Sequence, residues 1–304
     1  MIEIYDWKKE VGTNLLDNNQ EKMYDITFSC PEKFDDRSDW STSYIAKISK
    51  EVIDVSYSHE NVSLMLGGNQ YSLRNFDSIS YPDMHILIDA TVFPLPELLH
   101  LFSIFEKNNQ SFDVLYVQPM EYSKNTDDEG IEKIETYKLS DDGIGPQQLP
   151  PFVNYSINSS LFVCLGFEGH RFGALVHSDE YDTSNMTSLI GIPAFKAGWE
   201  NKALENNFKV MADAGLNASP NYKIAGANDP LSTYEIISKV YNSACYQGRT
   251  LCLAPFGTKP TAIAAAWFAV NHKNVVMIYD FVQKRKKMSH GTDTVHLWKF
   301  RPKI

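Results

Sequence analysis

Short apolar stretches of strand length, each followed by residues at helical spacing, recur through the chain from about residue 85. The first is His85–Thr91 (HILIDAT), a compact apolar run that ends on a polar step. Behind it, Leu98, Leu101, Phe102 and Phe105 fall at i, i+3, i+4 and i+7, which is one face of a helix over Leu95–Lys107. Phe112–Gln118 (FDVLYVQ) is the next strand, closed by Pro119. A strand, a helix and a strand in this order default to a right-handed parallel crossover. The rhythm returns with Leu161–Phe167 and a helix from His170, then Ser188–Ile192 and a helix from near Gly198. Tyr222–Ala227 is a weaker strand. It leads into Asp229-Pro230, a strong helix start, because Asp caps and Pro fits the first turn. Leu231, Tyr234, Ile237 and Tyr241 are expected to share that helix's inner face. Leu251–Pro255, a helix over Thr258–Val270 and Val275–Phe281 complete a further unit, and Val295–Phe300 alternates as a terminal edge strand would.

This repetition predicts an α/β fold: a mostly parallel sheet with helices on both faces. The N-terminal part is expected to be smaller and to continue that sheet. Residues 1–22 lack a strand signal and read as a short helix or arm. Met23–Ser29, Val52–Ser56 and Val62–Leu66 read as strands, with Gly67-Gly68 closing a hairpin. The expected division is 1–84, a first sheet half at 85–122, a loop at 123–150, and a second half at 151–304. The loop is expected because seven acidic residues fall between Asp127 and Asp142, followed by Gly143, Gly145, Pro146, Pro150 and Pro151. So polar a stretch cannot repay the entropy of ordering.

Composition excludes several function classes. The 28 basic residues are outnumbered by 38 acidic ones, for a formal charge of −10. Broad wrapping of duplex DNA, which needs a basic surface to displace counterions, is therefore not expected. No apolar run is long enough to cross a membrane, and the first residues (MIEIYDWKKE) do not read as a secretion signal. Cys30, Cys164, Cys245 and Cys252 are scattered without a CxxC pair or a neighbouring histidine cluster, and read as reduced core residues. The expectation is a cytoplasmic, metal-free protein with no cofactor named by any motif. HExxH, GxSxG, GxGxxG and the Walker pattern are absent.

In an open parallel sheet, ligands gather beyond the carboxyl ends of the strands, so the turns there hold the candidate site. The sharpest is Pro255-Phe-Gly-Thr-Lys-Pro260, between a strand and the helix TAIAAAWFAV. Gly257 lets a ligand approach the backbone, Thr258 caps, and Lys259 adds a cation to the partial positive charge of a helix start. A phosphate or carboxylate suits this place; the alternative is a tight turn with its lysine in water. The second turn is Gly166-Phe-Glu-Gly-His-Arg171. There Glu168 either binds a hydroxyl, acts as a base, or pairs with Arg171, and Arg171 grips a phosphate or holds the turn. Asp89 and Thr91 end the HILIDAT strand and either hold a ligand hydroxyl or cap the next helix. In the turn Ala225–Asp229, Asn228 is read as a ligand contact, whereas Asp229 already has the local job of capping. The turn Ser29–Ser38 belongs to the same set, with a helix starting near Arg37-Ser38. Phe195 and Trp199 either stack on a base or pack the loop against the body. Lys284-Arg-Lys-Lys287 is a dense basic run, read as a solvated turn or a local contact for nucleic acid or an acidic partner.

The Leu251–Val270 strand–GTK–helix element, set in this Rossmann-like alternation, resembles the ligand-sensing CARF domains of CRISPR-associated effectors. The resemblance covers one motif and the general strand order. It carries over only to Gly257, Thr258 and Lys259, and implies contact with a nucleotide. No nuclease signature accompanies it here. The leading expectation is thus a sensor or regulatory protein for a nucleotide or other phosphorylated small molecule, in prokaryotic anti-phage defence. A nucleotide or N-glycosidic hydrolase using Glu168 is the second. The third is an adaptor that docks through 127–142 or 284–287.

Overall fold

The computed structural model describes residues 8–11, 23–123, 139–141, 143–213 and 222–302, with backbone alone at 8–11 and 283–284. The fold is α/β, with two largely parallel mixed sheets and flanking helices. The chain forms two compact units, Met1–Ser123 with Arg285–Ile304, and Lys124–Lys284. This differs from the expected division. Each half builds its own sheet, and the C-terminal residues return to the first unit. Pairing partners far apart in the chain decide this, and periodicity carries no trace of them.

In the first unit, β1 is Lys8–Val11, β2 Tyr24–Ser29, α1 Asp36–Ile48 and β3 Ser49–Ser58. β4 (Ser63–Leu66) and β5 (Asn69–Ser72) form the hairpin expected around Gly67-Gly68, both at positive φ. β6 (Ile86–Asp89), α2 (Leu95–Lys107) and β7 (Phe112–Tyr122) follow, and the last strand, β16, is Ser289–Phe300. The sheet order is β1-β16-β7-β6-β2-β3-β4-β5. Its centre, β3-β2-β6-β7, is parallel, while β16 runs antiparallel to β7. β16 is not an edge strand, because β1 pairs beyond it. That pairing also gives Lys8–Val11 a strand, where an arm or helix was expected. Val62 turns at φ 47° rather than extending, so β4 starts one residue later.

The helices of this unit cover both faces. Along β7, Leu115 and Val117 point one way and Phe112 the other. Ile45 and Ile48 of α1 pack with Leu87, Leu115, Val117 and Val295. On the other face, Phe102 of α2 stacks on Phe112 and Phe300, and Phe105 meets Phe28 and Phe112. Leu98, Leu101, Phe102 and Phe105 are all buried, as the spacing required.

The start of α1 is tied down by charge. Asp35 caps the helix and accepts from the Ser38 amide. Its Oδ2 also accepts from Arg37 Nε at 3.0 Å, Arg37 Nη2 at 2.6 Å and Ser289 Oγ at 2.6 Å. Both side chains of the ion pair are almost wholly buried. Burial by itself raises the Asp35 carboxyl, but the Arg37 charge and these donors outweigh it and hold the group below the usual carboxylate range. Ser289 opens β16, so this pair also fastens the returning strand to the loop behind β2.

The second unit contains β8 (Ser140–Asp141), β9 (Pro146–Gln148), β10 (Ser159–Leu165), α3 (Gly169–Val176) and β11 (Met186–Gly191). It continues with α4 (Trp199–Asp213), β12 (Tyr222–Ala225), α5 (Pro230–Tyr246), β13 (Thr250–Pro255), α6 (Lys259–Asn271), β14 (Val275–Asp280) and β15 (Gln283–Lys284). The sheet order is β12-β11-β10-β13-β14-β9, parallel except for β9. Its parallel strands therefore run 3-2-1-4-5 in chain order, the doubly wound arrangement with its reversal between β10 and β13. β8 and β15 form a separate two-stranded ribbon. Of the acidic stretch 127–142, only 139–141 lie within the described residues.

β10 is buried throughout, as a strand covered on both faces must be. α6 is buried from Pro260 to Phe268 and at Ala269, and the small side chains at 264–266 let it lie close to the sheet. In α5 the inner face is Pro230, Thr233, Ile237 and Ala244. Leu231 is 37% exposed, so the expected register was off by part of a turn. Cys164 and Cys252 are buried, and burial pushes both thiols up to about 12. Cys30 is half-buried and Cys245 exposed, so those two are not core residues; all four are free thiols. No helix among the described residues is long and apolar enough to cross a membrane.

Candidate functional site

At the carboxyl edge of the second unit's sheet, the turns behind β10 and β13 meet backbone to backbone. A Cβ on Gly166 would lie 2.5 Å from the Phe256 carbonyl oxygen and 3.3 Å from the Gly257 Cα. A Cβ on Gly257 would lie 3.2 Å from the Leu165 carbonyl oxygen and 3.0 Å from the Thr261 hydroxyl. At Gly166 only glycine allows this approach, and at Gly257 a Cβ would need its neighbours to give by a few tenths of an ångström. The two turns thus come together at the reversal between β10 and β13.

The turn behind β12 joins them. Thr258 Oγ1 donates to the Ala227 carbonyl at 2.6 Å, and the Ala227 amide donates to the Pro193 carbonyl behind β11 at 2.9 Å. Asn228 sits half-buried in this turn. Asp229 is spent as the cap of α5, accepting from the Ser232 amide at 3.0 Å. Thr258 is the N-cap residue of α6 by backbone, but its hydroxyl is committed to Ala227 rather than to capping or to a ligand. Lys259, half-buried, is the first residue of α6, whose first turn holds no acid. α4 and α5 differ, with Glu200 in the first turn and an Asp229 cap.

Arg171 and Glu168 are braces of the first turn. Arg171 Nε donates to Asp280 Oδ2 at 2.8 Å, and its Nη1 lies 3.8 Å from Glu168 Oε2. Its guanidinium carbon stands 5.0 Å over the Phe256 ring. Glu168 Oε1 accepts from the Leu139 amide at 3.0 Å, the Ser140 amide at 2.9 Å and the Ser140 hydroxyl at 2.7 Å. A general base needs an exposed lone pair facing a substrate. With three donors on Oε1 and a side chain only 7% exposed, Glu168 is arranged as a structural anchor.

The remaining expected residues belong elsewhere. Asp89 and Thr91 are in the first unit, at the reversal of its own parallel strands, and are 0% and 5% exposed. Asp89 accepts from the Thr91 amide at 3.0 Å and Ser29 Oγ at 3.3 Å, and Thr91 Oγ1 accepts from the Val117 amide. Burial raises the Asp89 carboxyl, against the pull of Ser41, Thr91 and Ser29. These bonds fill the crevice from within, so neither residue faces a ligand. Nor does Asp89 cap α2, which starts after Pro94 without a side-chain cap. Trp199 is 7% exposed with its ring edge-on to Phe167, which makes it a packing residue rather than a stacking platform.

Sequence reasoning missed Asn206, Asn207 and Asp280. Asn206 and Asn207 of α4 donate to the Phe167 and Gly166 carbonyls, each at 2.7 Å, and so hold the first turn from behind. Adjacent asparagines inside a helix are poor helix formers, which was the available signal. Asp280 ends an apolar strand, and nothing local tells that its partner is 109 residues away. A cleft of about 380 Å³ opens at the opposite, amino-terminal edge, lined by residues such as Phe152, Asn154, Thr250 and His272. It adjoins the carboxyl end of α6, and Lys273 also lines it.

Gly166→Ala is expected to push the β10 and β13 turns apart, because the new Cβ meets a backbone oxygen that cannot swing aside. A cost of about 1–3 kcal/mol is expected in urea denaturation. A variant as stable as the parent would mean that the turns do not need this contact.

No protein-family model matches the chain, and no curated protein or solved structure matches it.

Proposed function

We propose that the second unit binds a nucleotide or other phosphorylated small molecule at the carboxyl edge of its sheet, as the ligand-sensing part of a regulatory protein. The observation that carries this reading is the close meeting of the Gly166 and Gly257 turns at the strand-order reversal, beside the start of α6. That reversal is where open parallel sheets take their ligands. The helix start there bears a lysine and no acid, so its partial positive charge stands uncompensated by a carboxylate of its own. In this reading Lys259 and the backbone of 257–259 take the phosphate, and Asn228 addresses a polar group of the ligand. Arg171 braces the first turn through Asp280. The resemblance of the GTK element to CARF domains agrees with a sensor of nucleotides, and extends the proposal to anti-phage defence.

The test is calorimetry with a panel of nucleotides and inorganic pyrophosphate, with native mass spectrometry of the freshly purified protein to find any retained ligand. Lys259→Ala is expected to weaken the bound member of the panel by about 1.5–3 kcal/mol, the worth of a charge-assisted contact. Unchanged affinity in that variant removes the assignment.

A further inference from the structure

The second unit holds a small device whose parts meet at Glu168. We propose that the β8–β15 ribbon is the readout of the anion site, with Arg171 and Glu168 as the relay between them. The inference rests on the binding reading above.

Three observations carry it. First, Arg171 touches both ends. Its guanidinium lies over Phe256, the residue before Gly257, while its Nη1 approaches Glu168. An arginine has five N–H donors, and the bond to Asp280 uses the one on Nε. Donors remain for an anion at the start of α6 without giving up Asp280. Second, the approach to Glu168 is half-made. At 3.8 Å it is well beyond hydrogen-bond length, whereas the Asp280 bond is at 2.8 Å. A guanidinium pinned by an anion can close that gap. Third, Glu168 governs where β8 lies. A two-residue strand paired with a two-residue strand has little stability of its own. The Leu139 amide and both Ser140 donors converge on the single oxygen Glu168 Oε1. Ser140 then pairs with Lys284, the last residue of this unit. Ordering Arg171 therefore steadies Glu168, and Glu168 steadies the ribbon.

Hydrogen exchange on the full-length protein tests this, with ATP and inorganic pyrophosphate as probes. With a probe bound, peptides spanning 139–141 and 283–284 are expected to exchange more slowly by about fivefold or more, in the range of ordinary coupling between sites. In Glu168→Ala these peptides are expected to exchange fast with or without probe. Because coupling is reciprocal, that variant is expected to bind the probe more weakly by the same factor. Glu168→Gln, which keeps an acceptor for Ser140 but loses the charge, is expected to hold the ribbon in place yet show no response to the probe. It serves as the second variant if Glu168→Ala does not fold. Probe binding to the parent without a change at 139–141 overturns the relay and leaves the binding reading intact. A response in either variant equal to the parent's overturns the role of Glu168. If neither probe binds the parent, the binding reading fails and the relay falls with it.

Discussion

Asp35→Ala is expected to destabilise the first unit by about 3–5 kcal/mol, the usual result of removing one partner of a buried ion pair. The reason is what stays behind. Arg37 is 5% exposed and keeps its charge, because a guanidinium is not deprotonated in proteins. Without the carboxylate, its Nε and Nη2 donors lose their partner, and so does Ser289 Oγ. The damage reaches beyond α1. Ser289 begins β16, which lies between β1 and β7 in the sheet, so the loss also loosens the strand that returns to this unit. Urea denaturation of the single variant and of Asp35→Ala with Arg37→Met separates the causes. The double variant is expected to recover a large part of the loss, since an apolar replacement of a buried pair is far milder than an orphaned charge. A single variant within about 1 kcal/mol of the parent would contradict this account.

Acid is expected to unfold the first unit through His100. This residue of α2 is 0% exposed, with the Tyr57 ring 4.9 Å away and Phe76 at 5.6 Å. Glu97 lies one turn earlier and accepts from the Tyr57 amide. Neither ring nitrogen of His100 has a hydrogen-bond partner among the described residues, and the Tyr57 hydroxyl has none either. Burial lowers the imidazole from 6.5 to about 3. The folded state thus keeps His100 neutral while the unfolded chain takes up a proton below 6.5. Its contribution is fully present above that pH and falls as the pH drops from 6.5 toward 3. By pH 4.5 the loss amounts to about 2–3 kcal/mol, two pH units of differential protonation at 1.36 kcal/mol each. His100→Leu, which cannot take the proton, is expected to flatten the dependence of unfolding free energy on pH between 6.5 and 4.5. An unaltered slope would place the acid sensitivity elsewhere.

What the residues alone determined about this protein are its local elements. Apolar runs in β6, β10, β13 and β14 and the helical spacing of α2 announced strand–helix–strand units. Asp229-Pro230 marked the start of α5 and Gly67-Gly68 a hairpin. These signals act over a few residues, through side-chain direction, capping and permitted φ, so they survive without tertiary context. Which turns would share an edge also followed, because parallel crossovers put every strand-to-helix turn on one edge of its sheet.

The tertiary structure decided how many sheets there are and which residues remain for chemistry. A strand's neighbours depend on non-local pairing, so β1, β16 and the boundary between the units could not be read ahead. Glu168, Arg171, Asp89 and Thr258 had the right chemical types for a site. Each of them is bonded to a partner up to 109 residues distant: Ser140, Asp280, Ser29 and Ala227. A buried polar group must be satisfied by whatever the fold brings near it, and that supply is set by packing rather than by sequence spacing. Gly257 and Lys259 lie at that edge for local reasons, the one by the close approach of the β10 turn and the other by its place at the head of α6.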